Sequence, residues 1–238
     1  MLLKNATDKI EQYNSMCLHY NIIADAIYRK RTEIASPFSA EFRRYIIAGL
    51  IAFDMGRMMG EANNRYNDDI DNFGGKLSKK LNKISELLGP IISETIDKVD
   101  ITNKNIINIV RASYNELSGK GTDGLNQNGE YFHVGATKIL HFLNPYLFAI
   151  IDSNVAAILR TEYGVGYRAG TQPLYSASKY IESLVIFKKI LSDYGIERVN
   201  MLEPGTPTMR ILDKIIFSSV PMMVPNNRLK LTAAHRKS

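Results

Sequence analysis

Residues 131–160 read YFHVGATKILHFLNPYLFAIIDSNVAAILR. The apolar residues Ile139, Leu140, Phe142 and Leu143 cluster on one side of a helix over 134–143, and Asn144-Pro145 ends it. Phe148, Ile150 and Ile151 make a short buried connection. Asp152 or Ser153 then caps a second helix over 153–161, with Val155, Ile158 and Leu159 turned to the core. Lys138 lies in the first turns of one helix and Asp152 at the start of the next. So short a connector packs the two helices closely and directs these two charged groups toward one pocket.

Working outward, the same periodicity recurs. Ile10, Tyr13, Cys17, Tyr20, Ala24 and Ile27 form one stripe on a single helix over 7–32. Ser36-Pro37 reads as an N-cap followed by proline at the first helical position, opening a helix that runs to about Gly60 and buries Phe42, Tyr45, Ile46, Leu50 and Phe53. Residues 61–75, rich in Asn, Asp and Gly, read as a loop. A stripe of Leu77, Leu81, Ile84 and Leu88 closes at Gly89-Pro90. Thr102 is placed to cap a helix that buries Ile106, Val110, Tyr114 and Leu117 and ends at Gly119. The four glycines of 119–130 leave little to pack, and helices resume over 174–194 and, after Pro207, 207–218. No strand alternation or internal repeat is evident. The expectation is an all-α protein of about eight to ten helices, in two helical lobes (1–118 and 131–220) flanking a cleft.

Composition limits the rest. The chain has 238 residues, 30 Lys+Arg, 24 Asp+Glu, one Cys and no Trp. That is ample for a hydrophobic core. The longest apolar run, Tyr45 to Phe53, is far short of a membrane span, and the first residues lack a signal-peptide core. With Cys17 alone, no intrachain disulfide and no four-cysteine metal or cluster site can form, so a reducing cytoplasm is the expected location. No cofactor is implied. The net charge of +6 owes four units to Arg228, Lys230, Arg236 and Lys237 in residues 226–238, expected to be a disordered basic tail. The remainder is nearly neutral, and net charge alone argues for no nucleic-acid partner. Neither glycine cluster is a nucleotide loop: Gly119-Lys120 is followed by Gly121 and preceded by a helix, and Gly164 to Gly170 lacks dinucleotide spacing.

The order in 131–160 of glycine, lysine, apolar helix, proline, apolar pair, aspartate and apolar helix resembles the core of the helix-hairpin-helix DNA glycosylase superfamily, in particular its 8-oxoguanine glycosylase branch. PTMRILDKIIF, Pro207 to Phe217, is similar in style to a closing helix of such proteins. The resemblance implies DNA as partner, Lys138 as the nucleophile toward the sugar C1′ and Asp152 as the carboxylate that supports the positive charge developing there. It further implies that Gly135 and Thr137 lie in the phosphate-holding hairpin, although HVGAT offers one glycine where the family's hairpin usually has two. Arg160, Arg168 and Lys179 are then phosphate contacts. Phe132, His133, His141, Phe142, Tyr146 and Phe148 are candidates to line the pocket for an extruded base.

The chemistry suits these residue types: a lysine must shed its proton to attack, and a carboxylate at a helix start can stay ionised beside an oxocarbenium-like centre. No third ligand joins the two histidines to make a metal site. Plainer readings stand beside these, with Asp152 as a simple N-cap and Lys138 on a solvated face. The corresponding alternative function is a non-enzymatic DNA- or protein-binding protein on a decayed scaffold of the same kind. The terminal NNRLKLTAAHRKS resembles the read-through of a recombination site closing a bacterial integron gene cassette, the alternative being a basic nucleic-acid arm.

Overall fold

A computed structural model describes residues 3–55, 66–126, 128–166 and 175–220. The expected tail and Arg168 lie outside these residues. Among them are ten α-helices, one π-helical turn and no strand, so the chain is all-α.

The first stripe folds as two helices rather than one. α1 (Ala6–Met16) and α2 (Leu18–Glu33) meet at Cys17, whose φ of −122° and ψ of 36° leave the helical region. Its N–H still bonds the Tyr13 carbonyl at 2.9 Å, so the last helical hydrogen bond of α1 survives the break. Ile10, Tyr13, Cys17, Ala24 and Ile27 are buried as the stripe requires, while Tyr20 is only partly covered. α3 (Ala40–Leu50) starts later than expected. Ser36 only orders the preceding turn, accepting from the Phe38 N–H, and the cap is Ser39, whose hydroxyl accepts from the Phe42 N–H at 3.1 Å. Phe42, Ile46 and Leu50 are fully buried, whereas Tyr45 lies near the surface beneath Lys30. α3 widens into a π-helical turn over Ile51–Met55, an interruption common at functional positions.

α4 (Tyr66–Leu88) is helical from Tyr66, so residues 66–75 are not the loop their composition indicates. Phe73 lies four residues before Leu77 and is fully buried, extending the apolar stripe upstream. That burial outweighs the weak local propensity of the Asn, Asp and Gly around it. The helix ends at Leu88 before Gly89-Pro90, as expected. α5 (Lys104–Ser118) is capped by Asn103, which accepts from the Asn105 N–H; the Thr102 hydroxyl instead donates to Asp100. The glycine-rich loop after it is packed rather than loose: Leu125 and Asn126 are buried, and the Gly121 N–H bonds the Gly129 carbonyl at 2.9 Å.

α6 (His133–Leu143) is the hub, with every residue from Gly135 to Leu143 buried. α3 approaches it closely because position 49 is glycine; a Cβ there would lie 2.7 Å from the Phe142 ring. α7 (Ser153–Tyr163) follows, then α8 (Ala177–Tyr194), a short α9 (Ile196–Leu202) that the sequence pattern did not separate, and α10 (Thr208–Phe217). Pro207 is the N-cap residue of α10, one position before the first helical residue. A single apolar cluster of the described residues runs from Leu3 to Ile216.

Candidate active site

The α6–α7 connector is set by its own polar groups. The Asn144 side chain accepts from the Tyr146 N–H and donates to the Glu94 carbonyl, turning the chain out of α6. The Ile151 N–H donates to Thr137 Oγ1 at 3.1 Å, and that hydroxyl donates to the Val134 carbonyl at 2.8 Å. Thr137 thus ties the end of the connector back to α6. Asp152 comes next and caps α7, its Oδ1 accepting from the Asn154 and Val155 N–H groups, both at 2.9 Å.

Lys138 projects from α6 into the interior and is 7% exposed. Among its contacts, Nζ donates to the Phe53 carbonyl at 2.6 Å and lies 5.4 Å from the centre of the Phe53 ring. The π-helical turn therefore supplies both an acceptor and an aromatic face to the lysine. Lys138 and Asp152, 14 residues apart in sequence, share one electrostatic neighbourhood. Burial pushes the Asp152 carboxyl above its ordinary range, while the two capping amides and the fields of Lys138 and Arg210 pull it back.

α10 completes this neighbourhood with residues that sequence reasoning did not single out. Arg210 is 1% exposed and Asp213 4% exposed, and they form an ion pair one turn apart. The Arg210 guanidinium also donates to the Tyr13 hydroxyl at 2.9 Å and to Asn21 Oδ1 at 3.1 Å. It stands 4.7 Å from the Tyr13 ring centre and 5.2 Å from that of Phe53. Its Nε is buried and has no hydrogen-bond partner among the described residues. Burial lifts the Asp213 carboxyl to about 6, against the pull of Arg210 and with a further push from Asp152. The available signal was TMRILDK itself, where an arginine and an aspartate three residues apart sit among apolar residues on a helix too apolar to carry them on its surface.

The other expected site residues divide into groups. Phe132, His141, Phe142 and Phe148 are fully buried and belong to the core. Gly135 is held against Phe132; a Cβ there would lie 2.0 Å from the ring, so close packing alone requires glycine at this position. His141 is bonded on both sides, with Nδ1 2.7 Å from the Phe148 carbonyl and Nε2 2.7 Å from the Tyr28 hydroxyl. Since a carbonyl only accepts, Nδ1 carries the proton and Nε2 accepts from Tyr28. Burial drops its pKa to about 3, keeping the ring neutral.

His133 is half-buried in a stack with Tyr131 and Tyr114, and Tyr146 is 43% exposed. Arg160 is partly exposed in the last turn of α7, and the Lys179 ammonium donates to the Gly166 carbonyl. The surface depression lined by Ala26, Arg29, Lys30, Glu33 and Tyr45 involves none of the Lys138 cluster. Among the described residues no helix is long and apolar enough to cross a membrane, and no three His, Cys, Asp or Glu side chains are grouped to hold a metal ion.

No protein-family model, no curated protein and no solved structure matches this chain. The geometry and the sequence resemblance therefore carry the functional reading.

Proposed function

We propose that the chain is a DNA base-excision glycosylase, with associated lyase capacity, that acts on a damaged or unusual base through Lys138. The observation that carries the reading is the convergence of Lys138, from the middle of α6, and Asp152, at the head of α7, on one buried group of charges. In this chemistry the neutral amine forms a bond to C1′ as the bond from C1′ to the base breaks. The base leaves with the bonding pair and takes up a proton. Opening of the sugar ring, with O4′ protonated and a proton lost from nitrogen, yields a Schiff base. Asp152 stays in place on its amides and faces the positive charge that develops at C1′.

The test is borohydride trapping on duplexes that carry single lesions or an abasic site. The expected result is a covalent protein–DNA adduct that disappears in Lys138→Ala, with the reduced linkage mapped to Lys138. Absence of any adduct across the panel, together with absence of DNA binding, overturns the proposal.

A second reading, a non-enzymatic DNA- or protein-binding protein on the same scaffold, is favoured by one observation. The Lys138 amine is engaged by the Phe53 carbonyl and almost removed from solvent. Under that reading binding survives both Lys138→Ala and Asp152→Ala.

A further inference from the structure

Phe53 is the point where two cations meet. Its carbonyl accepts from Lys138 Nζ at 2.6 Å, its ring lies 5.4 Å from that ammonium, and the same ring lies 5.2 Å from the Arg210 guanidinium. Arg210 is itself fixed by Asp213, by the Tyr13 hydroxyl and by Asn21 Oδ1. α10 therefore reaches the lysine through one shared aromatic ring, and that ring belongs to an irregular turn whose backbone holds the amine. The two carboxylates are linked as well: Asp152 raises the proton affinity of Asp213, and both lie in the field of the same two cations.

A surface-exposed pair would be expendable here. This pair is almost wholly buried, so its desolvation is a cost that an apolar pair of similar volume would avoid. Its burial is therefore poorly explained by net stabilisation alone.

We propose that Arg210 and Asp213 are positioning residues for Lys138 and Asp152: through Phe53 they hold the lysine amine in the place and field where it attacks an electrophilic carbon. The proposal rests on the reading of Lys138 as a nucleophile. Its test is separable from that reading because the amine can be probed without DNA.

The probe is formaldehyde with cyanoborohydride on the full chain. The amine adds to the aldehyde carbon, water leaves, and hydride from the borohydride reduces the imine. Modification is read by peptide mass at Lys138 and, as an internal reference, at Lys80, a buried lysine of α4 whose amine bonds Glu116. The variants are Arg210→Lys, which keeps a cation, and the double substitution Arg210→Met/Asp213→Leu, which removes both charges while preserving bulk. Circular dichroism and thermal melting establish that each variant is folded.

The expected result is a change of about tenfold in the Lys138-to-Lys80 ratio in the double variant and partial restoration in Arg210→Lys. The ratio should follow a different pH profile in the double variant, and the Lys80 rate should not move. In parallel, adduct formation on an abasic duplex should fall by a similar factor at saturating DNA, with affinity unchanged. An unaltered Lys138-to-Lys80 ratio in a folded double variant overturns the proposal. A shifted ratio with no adduct from the unmodified protein overturns the glycosylase reading and leaves the positioning role standing. If the double variant fails to fold, Arg210→Lys decides alone: a ratio and pH profile equal to those of the unmodified chain overturn the proposal.

Discussion

Lys138 and His141 lie one turn apart on α6, and the two side chains are kept under different regimes although both are buried. His141 is held neutral, with each ring nitrogen satisfied by a single partner, Tyr28 on one side and the Phe148 carbonyl on the other. Lys138 faces a group containing a second cation, two carboxylates and an aromatic ring. The first arrangement is closed: every hydrogen bond is made and nothing is gained by changing a proton. The second is a group of charges in which Lys138 and Arg210 act on both carboxylates and Asp152 acts on Asp213. A helix that needed only to fill space would treat both positions in the first way. That difference supports the proposal of chemistry at Lys138 and of an architectural role for His141.

The largest expected effect comes from breaking the charged group on one side. Arg210→Met leaves Asp213 buried without its cation and should destabilise the fold by about 3–5 kcal/mol in chemical denaturation. A loss below about 1 kcal/mol would mean that Asp213 simply takes a proton, dissolving the contrast with His141. Next, His141→Leu removes the partner of both the Tyr28 hydroxyl and the Phe148 carbonyl and should cost about 2–4 kcal/mol.

Acid titration of stability sharpens the comparison further. Unfolded histidine titrates near 6.5 and folded His141 near 3, so between these values the unfolded chain binds the extra proton. That contribution to stability is complete above about pH 6.5 and is lost as pH falls, by at most about 1.4 kcal/mol per pH unit. Asp213 acts in the opposite sense. Its folded value near 6 exceeds the ordinary 3.8, so its contribution is present below about 3.8 and lost as pH rises through 6. Removing the Arg210–Asp213 pair should therefore steepen the acid loss, and His141→Leu should flatten or invert it. Guanidinium melts at closely spaced pH values read both slopes. The smallest effect is expected from Lys138→Met, within about 1 kcal/mol of the unmodified chain, as for a residue kept for function rather than for stability. A cost equal to that of His141→Leu would place the two residues in one class.

The parts of this picture that were legible in the sequence are those with local causes. The two helices and connector of 131–160, and Asp152 as the cap of α7, follow from spacing, Asn144-Pro145 and one carboxylate next to free amides. The convergence of Lys138 and Asp152 follows from the short connector. What was not legible depends on distant partners. Arg210 meets Tyr13 across 197 positions, and nothing near either residue announces the other. The extra turns of α4 rest on Phe73 packing against Phe132, which overrides a local composition that favours a loop. The break at Cys17 has no proline or glycine to mark it, and Tyr13, four residues before it, packs under Arg210 from the other end of the chain.

That break also makes the protein its own reporter. Cys17 is the chain's one thiol, it is buried at the joint between α1 and α2, and burial raises its pKa. An alkylating reagent reaches it readily only when the joint between α1 and α2 opens locally. Its labelling rate under native conditions, scaled to that of an open thiol, then measures how often the α1–α2 joint opens, and each variant of the Arg210 cluster, which holds Tyr13 of α1, can be ranked by how far it shortens the wait.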